Sequence, residues 1–329
     1  MSEKEAVVIT GGGGFIGAQV SKTFANAGYD VIIIDSGSRK WATKNYTVFP
    51  HDFSSSSTAG ILEMFKPSTV VHLAASHVVP DSVNDPGKYY KNNVSGTQAL
   101  LDMCVKSGVK NFIFSGSSSV YGEQDTKLPF FEHQTPNPMS PYAMTKHMTE
   151  LMLEDYHKAY GLNYVSTRYF NAAGAAPEAG IGENHEPETH LIPNVLRSCL
   201  SNSSNSRLKV FGNDYETRDG TCVRDYIHVI DLADAHVKGM NHLFNDPIAD
   251  QINLGTEHGA TVLEVIKACE QATGRSIEYD IEEKREGDPA VLVADNSKAR
   301  GLLSWTPEAS LFDCVSDAWR WHLGTANNG

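Results

Sequence analysis

Val7-Val8-Ile9-Thr10-Gly11-Gly12-Gly13-Gly14-Phe15-Ile16-Gly17 runs from a short β-branched stretch into a segment with helical spacing, and this junction decides the fold. Glycines between a strand and a helix let the backbone approach a pyrophosphate, and the helix N-terminus adds free N–H groups and a positive dipole end. Gly11, Gly14 and Gly17, with Phe15 and Ile16, are therefore candidates for holding a dinucleotide. Asp35 closes the next apolar run, Val31 to Ile34, 18 residues after Gly17. A carboxylate about 20 residues downstream of the glycines bonds ribose hydroxyls and repels a 2′-phosphate, which points to NAD over NADP. Arg39 and Lys40 are either solvated loop charges or cations that could accommodate that phosphate.

Working outward, Val7 to Ile9, Val31 to Ile34, Thr69 to Leu73, Phe112 to Phe114 and Tyr164-Val165 have the β-branched and aromatic composition of buried parallel strands, with Tyr46 to Phe49 a weaker sixth. Segments with helical spacing separate them, including Val20, Phe24 and Ala27, then Leu100, Leu101 and Cys104. This alternation predicts an α/β fold, a doubly wound (Rossmann) parallel sheet. Beyond about residue 171 the rhythm loosens into Pro-, Gly- and Asn-rich loops, with a serine-rich patch at 201–206. The expected division is a dinucleotide-binding domain over 1–173 and a smaller substrate-binding lobe over 174–329, with about 226–255 returning to the first.

The 329 residues include 27 Lys+Arg against 40 Asp+Glu, a formal charge of −13 that repels nucleic acid and anionic lipid. Five cysteines without a CxxC read as reduced thiols, hence the cytoplasm. The amino terminus enters a strand with no room for a secretory apolar region, and no apolar run approaches the ~20 residues of a membrane span.

Tyr142 and Lys146 stand four apart in Tyr142-Ala143-Met144-Thr145-Lys146, and on a helix that spacing shares a face. A tyrosine is a poor base at neutral pH, and an adjacent ammonium together with a cationic nicotinamide would favour its phenolate. Ser117, after the strand-like Phe112 to Phe114, could hydrogen-bond a substrate hydroxyl. The pair alone is common on solvated helix faces; beside the glycine loop it becomes specific.

With these motifs in hand, the chain resembles the extended short-chain dehydrogenase/reductase superfamily, and within it the UDP-glucose (UDP-galactose) 4-epimerase family, from Val8 to about Trp321. The marks are TGGGGFIG at 10–17, HLAA at 72–75, NNVSGT at 92–97, NFIFSGSSSVYGE at 111–123, SPYAMTK at 140–146, RYFNAAGA at 168–175, VFGNDYETRDGTCVRDYIHVIDLADAH at 210–236 and REGDPAVLVAD at 285–295. The resemblance implies an NAD-dependent epimerase that interconverts UDP-glucose and UDP-galactose through a transient 4-keto sugar. It further implies Tyr142 as base with Lys146 and Ser117. On the cofactor side it adds Asp52, Phe53, Leu73, Ala74, Ala75, Asn92 and Tyr169. For the UDP-sugar it implies Asn171, Arg224 and Arg285 near the diphosphate, Asp288 at the uridine ribose and Phe211 against the uracil, with His190, Leu191 and Tyr226 also in the pocket. Leu292 falls where bulk gates the sugar, and its size favours plain hexoses over N-acetylated ones. The family pairs subunits through the helix of Met144, Met148 and Met152, so a homodimer is expected. Ser36-Gly37-Ser38 and His77 depart from the family's frequent residues, the latter where a lysine is common.

Glu183-Asn184-His185-Glu186-Pro187-Glu188-Thr189-His190 gathers carboxylates and imidazoles, but its histidines are five apart and Pro187 interrupts any helix, so it is not the HExxH zinc arrangement. It reads as a solvated loop, and no metal is expected. The serines at 115–119 lack the closing glycine of a nucleophile elbow. The remaining readings are another nucleotide-sugar epimerase (UDP-N-acetylhexosamine or UDP-pentose), a dehydratase or decarboxylase, which needs an added acid and base, and a non-enzymatic NAD-sensing regulator. Ser118 and Ser119 stand where dehydratases place carboxyls.

Overall fold

The computed structural model describes residues 4–37, 46–124, 129–200, 207–285 and 288–326; Ser38, Arg39, Lys40 and the serine patch 201–206 lie outside the described residues. Its centre is a seven-stranded sheet, parallel throughout, ordered in space Ala249–Leu254, Asn163–Tyr169, Asn111–Ser115, Thr69–His72, Ala6–Thr10, Asp30–Ile34, Thr47–Phe49. The chain is thus α/β and doubly wound.

Alternate residues of each strand face opposite sides, so both faces must be covered. Val7, Ile9, Val31, Ile33 and Val71 pack with Val20 and Phe24 of the helix Phe15–Asn26 and Leu232 and Met240 of the helix Val229–Asn245. Val8, Ile32, Ile34, Val70 and Phe112 pack on the other face with Leu62, Leu100, Leu101 and Leu153. Each such side chain contributes about 1.5–3 kcal/mol when fully buried. Strand order reverses between Ala6–Thr10 and Thr69–His72, and the crevice past their carboxyl ends is where doubly wound sheets bind ligands.

A second core packs the helices Leu191–Leu200, Val262–Thr273 and Leu311–Ala326 around Val195, Leu196, Val265, Cys269 and Val315. Thr261 and Glu264 close a capping box at the start of the second of these. The strand Val223–His228 contributes to both cores, Ile227 to the first and Tyr226 to the second. It pairs with Asn171–Ala173 on one side, with Gly259–Thr261 antiparallel, and with Val291–Leu292, in a register that sets Tyr226 beside Asn171 and Arg224 beside Leu292. Residues far apart in sequence meet at the crevice through these pairings. The five cysteines are free, and no described helix is long and apolar enough to cross a membrane.

Candidate functional site

The glycine loop is folded too tightly for side chains. Gly11 has φ +74°, and a Cβ there would lie 2.6 Å from the Ala74 nitrogen; a Cβ on Gly17 would lie 2.0 Å from the Gly11 carbonyl oxygen. Gly14 caps the helix without a side-chain acceptor, which leaves first-turn N–H groups available to an anion. Asp35 is aimed at this loop: Gly13 donates its N–H to Oδ2 at 2.8 Å and Gly37 to Oδ1 at 2.7 Å. Close backbone approach, free donors and an acid beside the loop fit a dinucleotide. Gly11, Gly14, Phe15, Ile16, Gly17, Asp35, Asp52, Phe53, Leu73, Ala74, Ala75, Asn92 and Tyr169 line one cavity of about 740 Å³.

Ser117, Tyr142 and Lys146 line the same cavity. The helix Pro141–Tyr160 starts with Ser140 accepting the Ala143 N–H at 3.1 Å and with Pro141 in its first turn, so Tyr142 and Lys146 enter the site on one face. Lys146 Nζ donates to the Ser115 carbonyl at 2.7 Å and lies 5.8 Å from the Tyr142 ring centre. Burial lowers the Lys146 ammonium to about 7, against the opposing charge of Glu150. Burial, helped by Tyr169, raises the Tyr142 hydroxyl, and Ser117 pulls it the other way. Beneath them, His72 bridges Thr10 Oγ1 at 2.6 Å and Thr97 Oγ1 at 2.9 Å; burial, then the Lys146 charge, lowers it to about 3, so it is a neutral strut.

A second cavity of about 600 Å³ opens from the first. Asn171, His190, Arg224 and Arg285 line both, whereas Leu191, Phe211, Tyr226 and Asp288 belong to the second. The Arg285 guanidinium stacks 3.9 Å over the Phe211 ring. Arg224 pairs with Asp288 and donates to the Val223 carbonyl at 2.8 Å. Two guanidinium groups between an aromatic face and an acid can bind a nucleoside diphosphate, since forked donors match phosphate oxygens. Leu292 lines the first cavity and packs against the cluster of Val120, Tyr121, Phe130, Phe170 and Ala294.

The segment 183–190 differs from a solvated loop. Asn184, Glu186, Pro187 and Thr189 are exposed, but Glu183 is buried and His185, Glu188 and His190 turn toward it. The reason is tertiary: the strand Ile181–Gly182 and the helix Leu191–Leu200 clamp both ends, and Glu188 accepts the N–H groups of Thr189 at 2.9 Å and His190 at 3.1 Å. Burial disfavours charge on His190, but Glu183 and Glu188 overcome it and push the imidazole up to about 10.

Sequence reasoning missed three supporting residues. Asn93 sits in a π-helical turn, Tyr90–Gly96, and bonds Ser76 N–H and Ser76 carbonyl at 2.9 Å each and Thr145 Oγ1 at 3.1 Å, tying the segment that follows the strand Thr69–His72 to the Tyr142 helix. Glu150 and Arg168 form a buried ion pair one turn past Lys146. The i+4 spacing of Lys146 and Glu150 was the available signal; nothing local points to Arg168.

The chain matches the model of the NAD dependent epimerase/dehydratase family over residues 7–255. It is 41% identical over 321 residues to the UDP-glucose 4-epimerase of Lactobacillus helveticus, covering 96% of each chain. It resembles the crystal structure of UDP-glucose 4-epimerase from Brucella ovis in complex with NAD, with TM-score 0.92 and 41% identity over 97% of this chain and 98% of that one. The Bifidobacterium longum UDP-glucose 4-epimerase in complex with NAD+ and UDP superposes with TM-score 0.91 at 35% identity, covering 98% of this chain and all of that one.

Proposed function

Because this chain belongs to the NAD-dependent epimerase/dehydratase family, we propose that the site described above makes it a UDP-glucose 4-epimerase, interconverting UDP-glucose and UDP-galactose. The observation that carries this reading is that Tyr142, Lys146 and Ser117 lie in the cavity of the glycine loop, and Arg224 and Arg285 join that cavity to the aromatic pocket at Phe211. NAD held there by the glycine loop and Asp35 would supply a hydride acceptor and donor together with a positive charge.

Each residue then has a task. Gly11, Gly14, Gly17 and Asp35 hold the dinucleotide. Arg224 and Arg285 grip the diphosphate, with Asn171 beside them, and Phe211 takes the uracil, so binding energy comes from groups remote from the reacting carbon. Tyr142 takes the proton of the 4-hydroxyl while Ser117 hydrogen-bonds that oxygen, and the Lys146 charge favours the phenolate. The 4-keto sugar is held only through its nucleotide, so it can turn over and present its opposite face. Tyr142 then returns the proton, and no net redox change results.

Elimination is disfavoured by the neighbours of Ser117. Ser118 and Ser119 are hydroxyls where an added acid and base would be needed, and Ser119 Oγ is bonded to Ser117 Oγ at 2.8 Å. A homodimer fits the exposed apolar side chains of Met148 and Leu151 on the Tyr142 helix and of Val83 and Tyr90 near it. The free thiols fit a reducing compartment, the cytoplasm.

The test is turnover of UDP-galactose by purified protein with no NAD added, products being read by chromatography. UDP-glucose is expected, together with retained NAD. No product even after NAD is supplied would overturn the reading, and a stable keto-sugar would transfer it to the dehydratases. Leu151→Glu is expected to shift the protein from dimer to monomer in sedimentation.

A further inference from the structure

Four side chains of the segment 183–190 converge. One ligand atom from each of Glu183, His185, Glu188 and His190 lies within 4.8 Å of all the others. His190 Nδ1 is 2.8 Å from Glu183 Oε1 and 2.9 Å from Glu188 Oε1, while His185 Nδ1 is 3.4 Å and 3.7 Å from the same two oxygens. Two imidazole nitrogens and two carboxylate oxygens thus alternate around a ring. A tetrahedral zinc ion with bonds of about 2.0–2.1 Å sets its ligand atoms about 3.3–3.4 Å apart. The four measured edges fall on both sides of that spacing, so closing the ring on an ion needs only small side-chain shifts.

A second observation also points to a ligand. His185 Nδ1 is buried inside the ring and makes no hydrogen bond. A buried imidazole nitrogen set 3.4 Å and 3.7 Å from two carboxylate oxygens, with a well-aligned hydrogen bond to neither, is what a shared cation would satisfy. The surroundings also resemble an outer shell. Glu188 Oε2 accepts the His185 N–H at 3.3 Å and lies 3.7 Å from Arg197 Nη2, and Arg197 also donates to Asn184 Oδ1 at 2.8 Å and the His185 carbonyl at 3.2 Å. Such bonds orient ligands before an ion arrives.

We propose that Glu183, His185, Glu188 and His190 form a binding site for a divalent first-row transition cation, zinc foremost. Two imidazoles and two carboxylates suit zinc, whereas calcium and magnesium favour all-oxygen shells. Two carboxylates and two neutral imidazoles would balance the double charge. Glu183 and His190 line both cavities, so the ion fastens the wall they share. Its role is to pin that wall, and it takes no part in proton transfer at Tyr142.

The test uses the full chain, purified without a metal-affinity tag, treated with chelator and dialysed. Zinc titration by calorimetry is expected to show one ion per chain. Cobalt(II) is expected to give the intense visible d–d absorption of a tetrahedral site, and zinc to raise the melting temperature by mass action. His185→Gln is expected to weaken zinc binding by roughly 100-fold or more, the upper end of what even outer-shell changes cost a metal site. It should also abolish the zinc-dependent melting shift, while His157→Gln, outside the ring, leaves both intact. Millimolar affinity, or one-to-one binding that His185→Gln leaves unchanged, would overturn the site and leave the four residues a hydrogen-bonded knot. If His185→Gln does not fold, the wild-type cobalt spectrum decides, and absence of the tetrahedral band refutes the proposal.

Discussion

Glu150 grips Arg168 through two parallel hydrogen bonds, Oε1 to Nε at 2.9 Å and Oε2 to Nη2 at 2.7 Å, one helical turn beyond Lys146. Both side chains are buried, so removing one partner strands a charge. Glu150→Gln is expected to cost about 3–5 kcal/mol in denaturant unfolding. Replacing both, with Glu150→Leu and Arg168→Met, should cost much less. A loss below about 1 kcal/mol for the single variant would show that water reaches the pair.

Tyr142→Phe keeps the ring and removes the proton acceptor. Turnover of UDP-galactose is expected to fall about 100- to 10,000-fold, with NAD content unchanged. Ser117→Ala should lower turnover by less. Full activity in Tyr142→Phe would displace the base to another residue.

Gly17→Ala tests the dinucleotide cradle, because the new methyl would lie 2.0 Å from the Gly11 carbonyl oxygen. The loop must open to admit it. The purified variant is expected to carry little NAD, read by absorbance after denaturation, and to recover activity only at high added NAD. Wild-type NAD content would contradict the cradle.

Lys146 gives a pH signature in protein stripped of dinucleotide. Its folded value of about 7 lies below the ordinary 10.5, chiefly through burial. Between those values the unfolded chain binds the extra proton, so stability rises with pH across that window and falls as pH drops through about 7. Against a Lys146→Met reference, the slope should approach about 1.4 kcal/mol per pH unit. A flat difference between pH 7 and 10 would show that the ammonium stays charged in the fold.

Leu292 narrows the cavity beside Phe170 and Tyr121. Leu292→Ala is expected to raise the kcat/KM ratio of UDP-N-acetylgalactosamine to UDP-galactose by roughly tenfold or more, since even one methylene in a pocket is worth about 10-fold. An unchanged ratio would place the N-acetyl group elsewhere.

The strands and the glycine loop were legible because their signals are local. Val7 to Gly17 carries its own strand, turn and helix start, and Tyr142 and Lys146 need only one helical turn to meet. Arg224, Arg285, Asp288 and Phe211 could be picked out only through family resemblance. Their own spacing has no periodicity that sets an arginine over an aromatic ring.

What the sequence by itself determined was the alternation of β-branched runs and helices, and with it the doubly wound sheet and its dinucleotide crevice, since backbone propensity and burial act over neighbouring residues. Tertiary structure decided the rest. The pairing of Val223–His228 with Asn171–Ala173 and Val291–Leu292 brings Arg224 and Leu292 to the crevice, and the clamped segment 183–190 turns four polar side chains inward against the expectation of a solvated loop. Those outcomes depend on which distant strands bond and which carboxylates become enclosed. Long-range hydrogen bonding and desolvation set both, and neither is written in the order of adjacent residues.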